Sequence, residues 1–281
     1  MPVRLIAIDI DGTLLDSRWQ LPAANLEAIR AAVDVGVEVV LATGRRFDFA
    51  RPVLDLVPPV RLVIVSGGAL TKRRDGVTIA RRTMPRATAR RVLEATTAFR
   101  QDMGVVFDRA GANQIVYERV AWNDPRQRAY FEHNRRAVGE VSPLEACLTD
   151  DPIQIMASGS VERMRALAAT LAGMPDASGF EVALTEYPAR DLSIADVTAA
   201  GVSKGSALAA LAQSRGLARN AVMAIGDNHN DRSMLEAAGF PVVMGNASKA
   251  LKASGWTVTA SNDKEGVARA IERYILDRTE N

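Results

Sequence analysis

Asp9 and Asp11 stand two residues apart, directly after the apolar run Leu5-Ile6-Ala7-Ile8, and Gly12 and Thr13 follow them. In an extended chain a spacing of two points both carboxylates to the same side, and Gly12 permits a sharp turn immediately afterwards. Further along, Thr43-Gly44 follows a second apolar run, Lys204 opens a helical pattern, and a third run ends at Gly226-Asp227-Asn228-His229-Asn230-Asp231. If these segments share one sheet, Asp9, Asp11, Asp227 and Asp231 converge at one edge. Close carboxylates repel by about 4 kcal/mol per pair at ~4 Å and an effective dielectric of about 20. Such a cluster is tolerable only with a cation, and oxygen-rich ligands select a hard one such as Mg²⁺. Lys204, one of five lysines in the chain, brings a second positive charge. Thr43 and the backbone N–H groups around it are neutral donors suited to phosphate oxygens. A carboxylate nucleophile, a metal, a fixed cation and neutral donors are the parts of phosphoryl transfer.

The elements that must position these residues are legible. Leu5–Ile8, Val37–Leu41, Leu62–Val65 and Ala221–Ile225 read as strands buried on both faces, each bounded by turn residues. Helical periodicity spans Leu21–Val35 and Phe47–Leu56, so strands and helices alternate as in a parallel sheet with right-handed crossovers. Open sheets of this kind place their ligand crevices outside the carboxyl ends of the strands. Thr71–Thr83 reads as a hairpin turning at Asp75-Gly76.

From about Met84 the grammar changes. Helices are expected at Ala87–Phe99, Pro125–Ala137 and Val161–Ala172. Strands are expected at Gly104–Asp108, Gln114–Tyr117 and Pro152–Ala157, and near Glu181 and Leu192. That mixture predicts an α+β unit on an antiparallel sheet, inserted over residues 84–196 between a first core part, 1–83, and a second, 197–281. The first grammar returns with a helix over Ser203–Arg215, a strand at Val242–Met244 and a closing amphipathic helix over Lys264–Leu276.

Composition removes several classes. The 281 residues carry 35 basic and 33 acidic side chains, a formal net charge of +2, which does not suggest a nucleic-acid binder. The basic cluster Lys72, Arg73, Arg74, Arg81, Arg82, Arg86, Arg90 and Arg91 reads as a solvated face in preference to a substrate-attracting patch. No apolar run approaches the roughly 20 residues that span a bilayer, and a strand begins almost at the N-terminus where a secretory signal would stand. Cys147 is alone and the two histidines are His133 and His229, so neither a disulfide nor a cysteine- or histidine-built zinc site is available. These features predict a cytoplasmic protein without membrane or nucleic-acid partners.

The ordered motifs Asp9-Ile10-Asp11-Gly12-Thr13, Thr43-Gly44-Arg45, Lys204-Gly205 and Gly226-Asp227-x-x-Asn230-Asp231 resemble those of the haloacid dehalogenase-like superfamily of phosphohydrolases. The insertion after the third strand resembles the Cof-type branch, subfamily IIB, with a type C2B cap. The resemblance spans essentially the whole chain. It implies a Rossmann-like parallel-sheet α/β core with an inserted α+β cap that selects substrate. It further implies that Asp9 is the nucleophile, and that Asp11 is the general acid and base and lends its backbone carbonyl to Mg²⁺. Asp9 and Asp227 are then metal ligands. Ile10, Thr43, Gly44, Lys204 and Asn230 surround the phosphate, and Asp231 supports the site. The expected substrate is a small phosphorylated metabolite, by default a sugar phosphate. One departure stands out: Gly67-Gly68-Ala69 replaces the usual Asn-Gly-Ala after the third strand.

Other readings fare worse. A nicotinamide-binding Rossmann protein needs Gly-x-Gly-x-x-Gly after the first strand, and no P-loop motif is present. A phosphomutase passing the phosphoryl group to a sugar hydroxyl would share the core motifs; formation of an isomer in place of inorganic phosphate would reveal it. A non-catalytic binding protein on the same fold would have no need of both Asp9 and Asp11.

Overall fold

The computed structural model describes residues 3–109, 111–120, 122, 132, 135–187 and 190–277. The chain forms two compact units, one from residues 1–81 with 202–281, the other from 82–201. In chain order the first unit supplies β1 (Leu5–Ile8), β2 (Glu38–Ala42), β3 (Leu62–Val65), β4 (Leu70–Arg73) and β5 (Thr78–Arg81). The second supplies β6 (Met103–Val106), β7 (Ile115–Tyr117), β8 (Val138–Glu140), β9 (Gln154–Gly159), β10 (Phe180–Tyr187) and β11 (Leu192–Ala199). The first unit then resumes with β12 (Val222–Gly226), β13 (Phe240–Val243) and β14 (Thr257–Val258).

The first unit is built on an eight-stranded sheet in the order β14-β13-β12-β1-β2-β3-β4-β5. From β14 to β3 every pairing is parallel, while β4 and β5 form an antiparallel hairpin that extends the edge. The expected strands are therefore neighbours, and β1 lies between β12 and β2. Its four residues are fully buried, because crossover helices cover both faces of a parallel sheet. On one face Leu5, Ala7, Val40, Ala42 and Ile64 pack with Leu208, Leu211, Met234 and Leu235 from the helices at Lys204–Ser214 and Arg232–Ala237. Ile6, Ile8, Leu41 and Val63 alternate with them and are equally buried.

The second unit has a six-stranded sheet in the order β10-β11-β9-β6-β7-β8. It is antiparallel except for the β7–β8 pair. Val105, Ile155, Ala157, Ala195 and Val197 pack with Val92 and Leu93 of the Arg86–Ala95 helix and with Met164, Leu167 and Leu171 of the Val161–Ala172 helix. β11 continues to Ala199, beyond the expected boundary at 196. Cys147 lies buried in this unit, and burial pushes its thiol up to about 11.

The expected helix over Pro125–Ala137 lies largely outside the described residues; Arg135–Ala137 form a turn before β8. The closing helix starts later than its apolar pattern. Glu265 sits at φ 58°, outside the right-handed region, so regular helix begins at Gly266 and passes at Glu272 into a wider turn that ends at Leu276. The two-residue strand β14 and the short helices at Arg232–Ala237 and Lys249–Lys252 carry too few residues for a periodicity to show.

Candidate active site

β1 ends at Ile8 and the chain enters a wide turn in which Leu14 N–H donates to Asp9 O and Leu15 N–H to Ile10 O. Such five-residue hydrogen bonds are uncommon and recur at functional sites. Gly12 permits the turn: its φ is +82°, and a Cβ there would lie 2.5 Å from Asp227 Oδ2. Three side-chain amides satisfy the carbonyls the turn turns outward. Asn246 Nδ2 donates to Gly12 O at 2.8 Å, Asn25 Nδ2 to Leu14 O at 3.0 Å, and Asn262 Nδ2 to Leu15 O at 3.0 Å.

Asp9 is thereby held at the carboxyl edge of the central strand, 4% exposed. Lys204, in the first turn of its helix and 2% exposed, places Nζ 2.7 Å from Asp9 Oδ1 and 2.6 Å from Asp231 Oδ1. The helix start is fixed by Ser203, whose Oγ accepts from Ser206 N–H while the Ser206 hydroxyl accepts from Ser203 N–H. The turn after β3 packs directly on this cap. Gly68, at φ +108°, lies so close that a Cβ would stand 2.1 Å from Ser203 O. The second glycine of Gly67-Gly68-Ala69 is thus a close-approach residue, whereas a Cβ on Gly67 would meet nothing within 4 Å.

Asp227 follows β12. Thr13 Oγ1 donates to its Oδ1 at 2.9 Å, tying the loop after β12 to the turn after β1. Asp231 is fully buried: Oδ1 takes Lys204, and Oδ2 takes the backbone N–H groups of Asp227 and Asn228, both at 3.0 Å. Carboxylate oxygens of Asp9, Asp227 and Asp231 lie within 4.8 Å of one another. Burial first, then the charge of Asp231, raises the Asp9 carboxyl well above the usual range, although Lys204 pulls the other way. Asp227 is pushed up to about 7, chiefly by burial and Asp231. Burial alone would lower Lys204, but Asp231 and Asp9 overcome it and hold the ammonium charged. One cation does not balance three carboxylates. The donor set, hard oxygens gathered around a deficit of positive charge, fits a hard divalent cation such as Mg²⁺. Asp9 and Asp227 have carboxylate oxygens to offer it, while both oxygens of Asp231 already accept strong hydrogen bonds.

The other expected residues fall as follows. Thr43, 1% exposed, follows β2; its N–H donates to Ile64 O at 2.9 Å and its Oγ1 accepts from Arg45 N–H at 3.1 Å. Gly44 is half-buried beside it, and Ile10 is buried inside the wide turn. Asn230 is half-buried in the short turn His229–Asp231, and His229 in the same turn is exposed. The Asp11 side chain stands outside the three-carboxylate cluster. Arg45 Nε donates to its Oδ2 at 2.8 Å and Nη2 donates to its Oδ1. Sequence reasoning missed Arg45, Thr13, Asn246 and Asn262 as site residues. Arg45 and Thr13 stood inside quoted motifs and Gly245-Asn246 ended the strand at Val242–Met244, so position was the available signal for these; nothing local marked Asn262.

With this geometry in place, comparison with known proteins defines the class. Residues 6–271 match the model of the haloacid dehalogenase-like hydrolase family, and the chain belongs to that family. It is 28% identical over 273 residues to a phosphoglycolate phosphatase of Methanothermobacter thermautotrophicus, covering 97% of this chain and 99% of that protein. It is 26% identical to a 5-amino-6-(5-phospho-D-ribitylamino)uracil phosphatase of Bacillus subtilis, covering 98% and 96%. Among solved structures, a phosphatase of the same superfamily from Bacteroides thetaiotaomicron superposes with a TM-score of 0.78 at 26% identity, covering 97% and 95%. A subclass IIB sugar phosphatase shares the fold, with a TM-score of 0.76 at 22% identity and 97% and 99% coverage. Family and relatives together make this chain a phosphatase acting on small phosphorylated compounds.

Proposed function

We propose that this enzyme is a Mg²⁺-dependent phosphatase that hydrolyses a small phosphorylated metabolite, a sugar phosphate by default, through an aspartyl-phosphate intermediate. The observation that carries the reading is the buried Asp9 carboxylate, gripped by Lys204 at 2.7 Å beside Asp227 and Asp231. Lys204, together with the cation the oxygen cluster would hold, keeps Asp9 ionised against this crowding, the state a carboxylate nucleophile must be in.

An Asp9 oxygen attacks the phosphorus and the bond to the leaving oxygen breaks. Asp11 gives that oxygen a proton, so the product departs as an alcohol. Water then attacks the phosphorus of the acyl phosphate, Asp11 takes its proton, and the bond to the Asp9 oxygen breaks to release inorganic phosphate. Lys204, the Thr43 hydroxyl and backbone N–H groups at Ile10 and Gly44 hold the phosphoryl oxygens, with Asn230 completing the enclosure. Asp9, Asp227 and the Asp11 carbonyl would hold Mg²⁺, which would supply neutralisation of the negative charge shared by the nucleophile and the ester. Asp231 keeps Lys204 and the loop after β12 in register.

The inserted unit acts as a type C2B cap that selects the substrate, and the enzyme works in the cytoplasm. Among the described residues no helix is long and apolar enough to cross a membrane. The deciding experiment is a phosphate-release screen over a metabolite panel with and without Mg²⁺, repeated on Asp9→Asn. Release by the Asp9→Asn protein at the wild-type rate rules the reading out.

A further inference from the structure

Arg45 makes a connection the reaction above does not use. Its guanidinium forks onto both oxygens of Asp11, Nε to Oδ2 at 2.8 Å and Nη2 to Oδ1, while Nη1 donates to Phe49 O at 3.1 Å. Its backbone N–H meanwhile donates to Thr43 Oγ1 at 3.1 Å. One residue thus ties the loop after β2 to the turn after β1. The pair is only partly covered, with the two side chains 21% and 20% exposed.

A second observation points to the same guanidinium. It lies over the indole of Trp19, 5.5 Å from the ring centre. Trp19 is 46% exposed and sits at φ 62°, a left-handed conformation that costs a bulky residue free energy. The surrounding turn enforces it. Trp19 N–H donates to Asp16 O, Asp16 Oδ1 accepts from the N–H groups of Arg18 and Gln20, and Ser17 N–H donates to Asp263 Oδ1. A strained, half-exposed tryptophan stacked on an arginine that grips a carboxylate is an arrangement that restricts where the carboxylate can go.

We propose that Arg45 is the positioning residue for Asp11, aiming its carboxylate at the leaving oxygen, and that Trp19 braces Arg45 from the outside. The proposal rests on the acid–base role given to Asp11. An unheld Asp11 would be free to swing into solvent, away from the repulsion of the three carboxylates beside it, because the one ammonium in that cluster is already shared by Asp9 and Asp231. A bidentate guanidinium fixes both the direction and the plane of a carboxylate. A lysine ammonium fixes neither, since it acts as a point charge. A displacement of about 1 Å in a catalytic group costs on the order of 10²-fold in rate.

The test compares an alkyl phosphate, whose leaving oxygen needs a proton, with p-nitrophenyl phosphate, whose leaving group departs without one. Arg45→Gln and Arg45→Lys should lose about 10²-fold in kcat on the alkyl ester. Their first-turnover release of p-nitrophenol should stay within about threefold of wild type. KM and the Mg²⁺ concentration for half-activation should be unchanged. Trp19→Ala, at an exposed position, should show the same selectivity with a smaller loss, about 3–10-fold. A variant that only disturbs folding would lower both esters together. Equal loss on both esters, an unchanged alkyl rate, or a faster one overturns the proposal. If Arg45→Gln does not fold, Arg45→Lys and Trp19→Ala decide the matter by the same ratio. Asp11→Asn is the reference: if it fails to separate the two esters, the acid–base role itself falls. If it separates them and the Arg45 variants do not, the Arg45 assignment alone falls.

Discussion

Lys204 Nζ stands 2.7 Å from Asp9 Oδ1 and 2.6 Å from Asp231 Oδ1, with all three side chains buried. A single ammonium therefore serves two carboxylates on segments far apart in sequence. Breaking a buried pair leaves uncompensated charge, at a cost of about 3–5 kcal/mol. Lys204→Met should accordingly melt well below wild type at pH 8, and should recover part of that loss at pH 5, where the orphaned carboxylates can take up protons. Its turnover should fall by about 10²–10³-fold, the usual consequence of removing a charged donor from the reacting oxygens. Thermal melts at the two pH values check the first half and steady-state kinetics the second.

The metal-free protein should lose stability as pH rises. Burial and the charge of Asp231 push Asp227 up to about 7 in the folded chain from an ordinary value of 3.8, and Asp9 is shifted in the same direction. A carboxyl whose folded pKa is raised favours the folded state while protonated, and that advantage is lost between the ordinary value and about 7. In chelator, the melting temperature should decline from pH 5 to pH 8. With Mg²⁺ the decline should flatten, because the bound cation stabilises the ionised carboxylates. A chelated protein whose stability rises across this window would contradict the crowding described for Asp9, Asp227 and Asp231.

Chelation should abolish turnover, and Mg²⁺ should restore it. Ca²⁺, which prefers more ligands at longer and more variable distances, should bind without restoring the rate. Phosphate release in buffered metal series measures this. Full activity in chelator would remove the metal from the reaction.

Asp9 and Asp11 should separate kinetically. Asp11→Asn should give one fast release of p-nitrophenol and then stall, since breakdown of the acyl phosphate lacks its base. General acid–base help is worth about 10²–10⁴ in rate, so the same variant should show no fast first turnover on a sugar phosphate. Asp9→Asn should show neither phase with either ester. Rapid-quench experiments distinguish these patterns, and a p-nitrophenol burst in Asp9→Asn would reverse the two roles.

Gly12→Ala should weaken Mg²⁺ binding without abolishing folding. Its Cβ would meet Asp227 Oδ2 at 2.5 Å, in a conformation with φ +82° that alanine adopts only under strain. The displaced Asp227 carboxylate would also strain its 2.9 Å hydrogen bond from Thr13. A rise in the half-activating Mg²⁺ concentration by about tenfold, of the order seen when a ligand's supporting contacts are lost, is the expected reading.

The sequence alone carried the parallel core and the placing of candidate residues at its edge, for a physical reason. Strands buried on both faces must be continuously apolar, so Leu5–Ile8 and Leu62–Val65 announce themselves, and polar residues at their ends are forced to the sheet edge. Asp9, Thr43, Lys204 and Asp227 all stand at such ends or at a helix start, so their convergence followed once the strands were taken as neighbours. What the tertiary structure decided depends on partners far apart in the chain. Only the folded molecule shows that Asp11 turns to Arg45, that Asp231 spends both oxygens on Lys204 and the backbone, and that Thr13 reaches Asp227. The same holds for Asn246 and Asn262, which look like ordinary loop residues until they close the turn that begins at Asp9. Local periodicity reports which face of an element is buried; it holds no record of which distant donor will satisfy a given carbonyl or carboxylate, because long-range packing alone makes that choice.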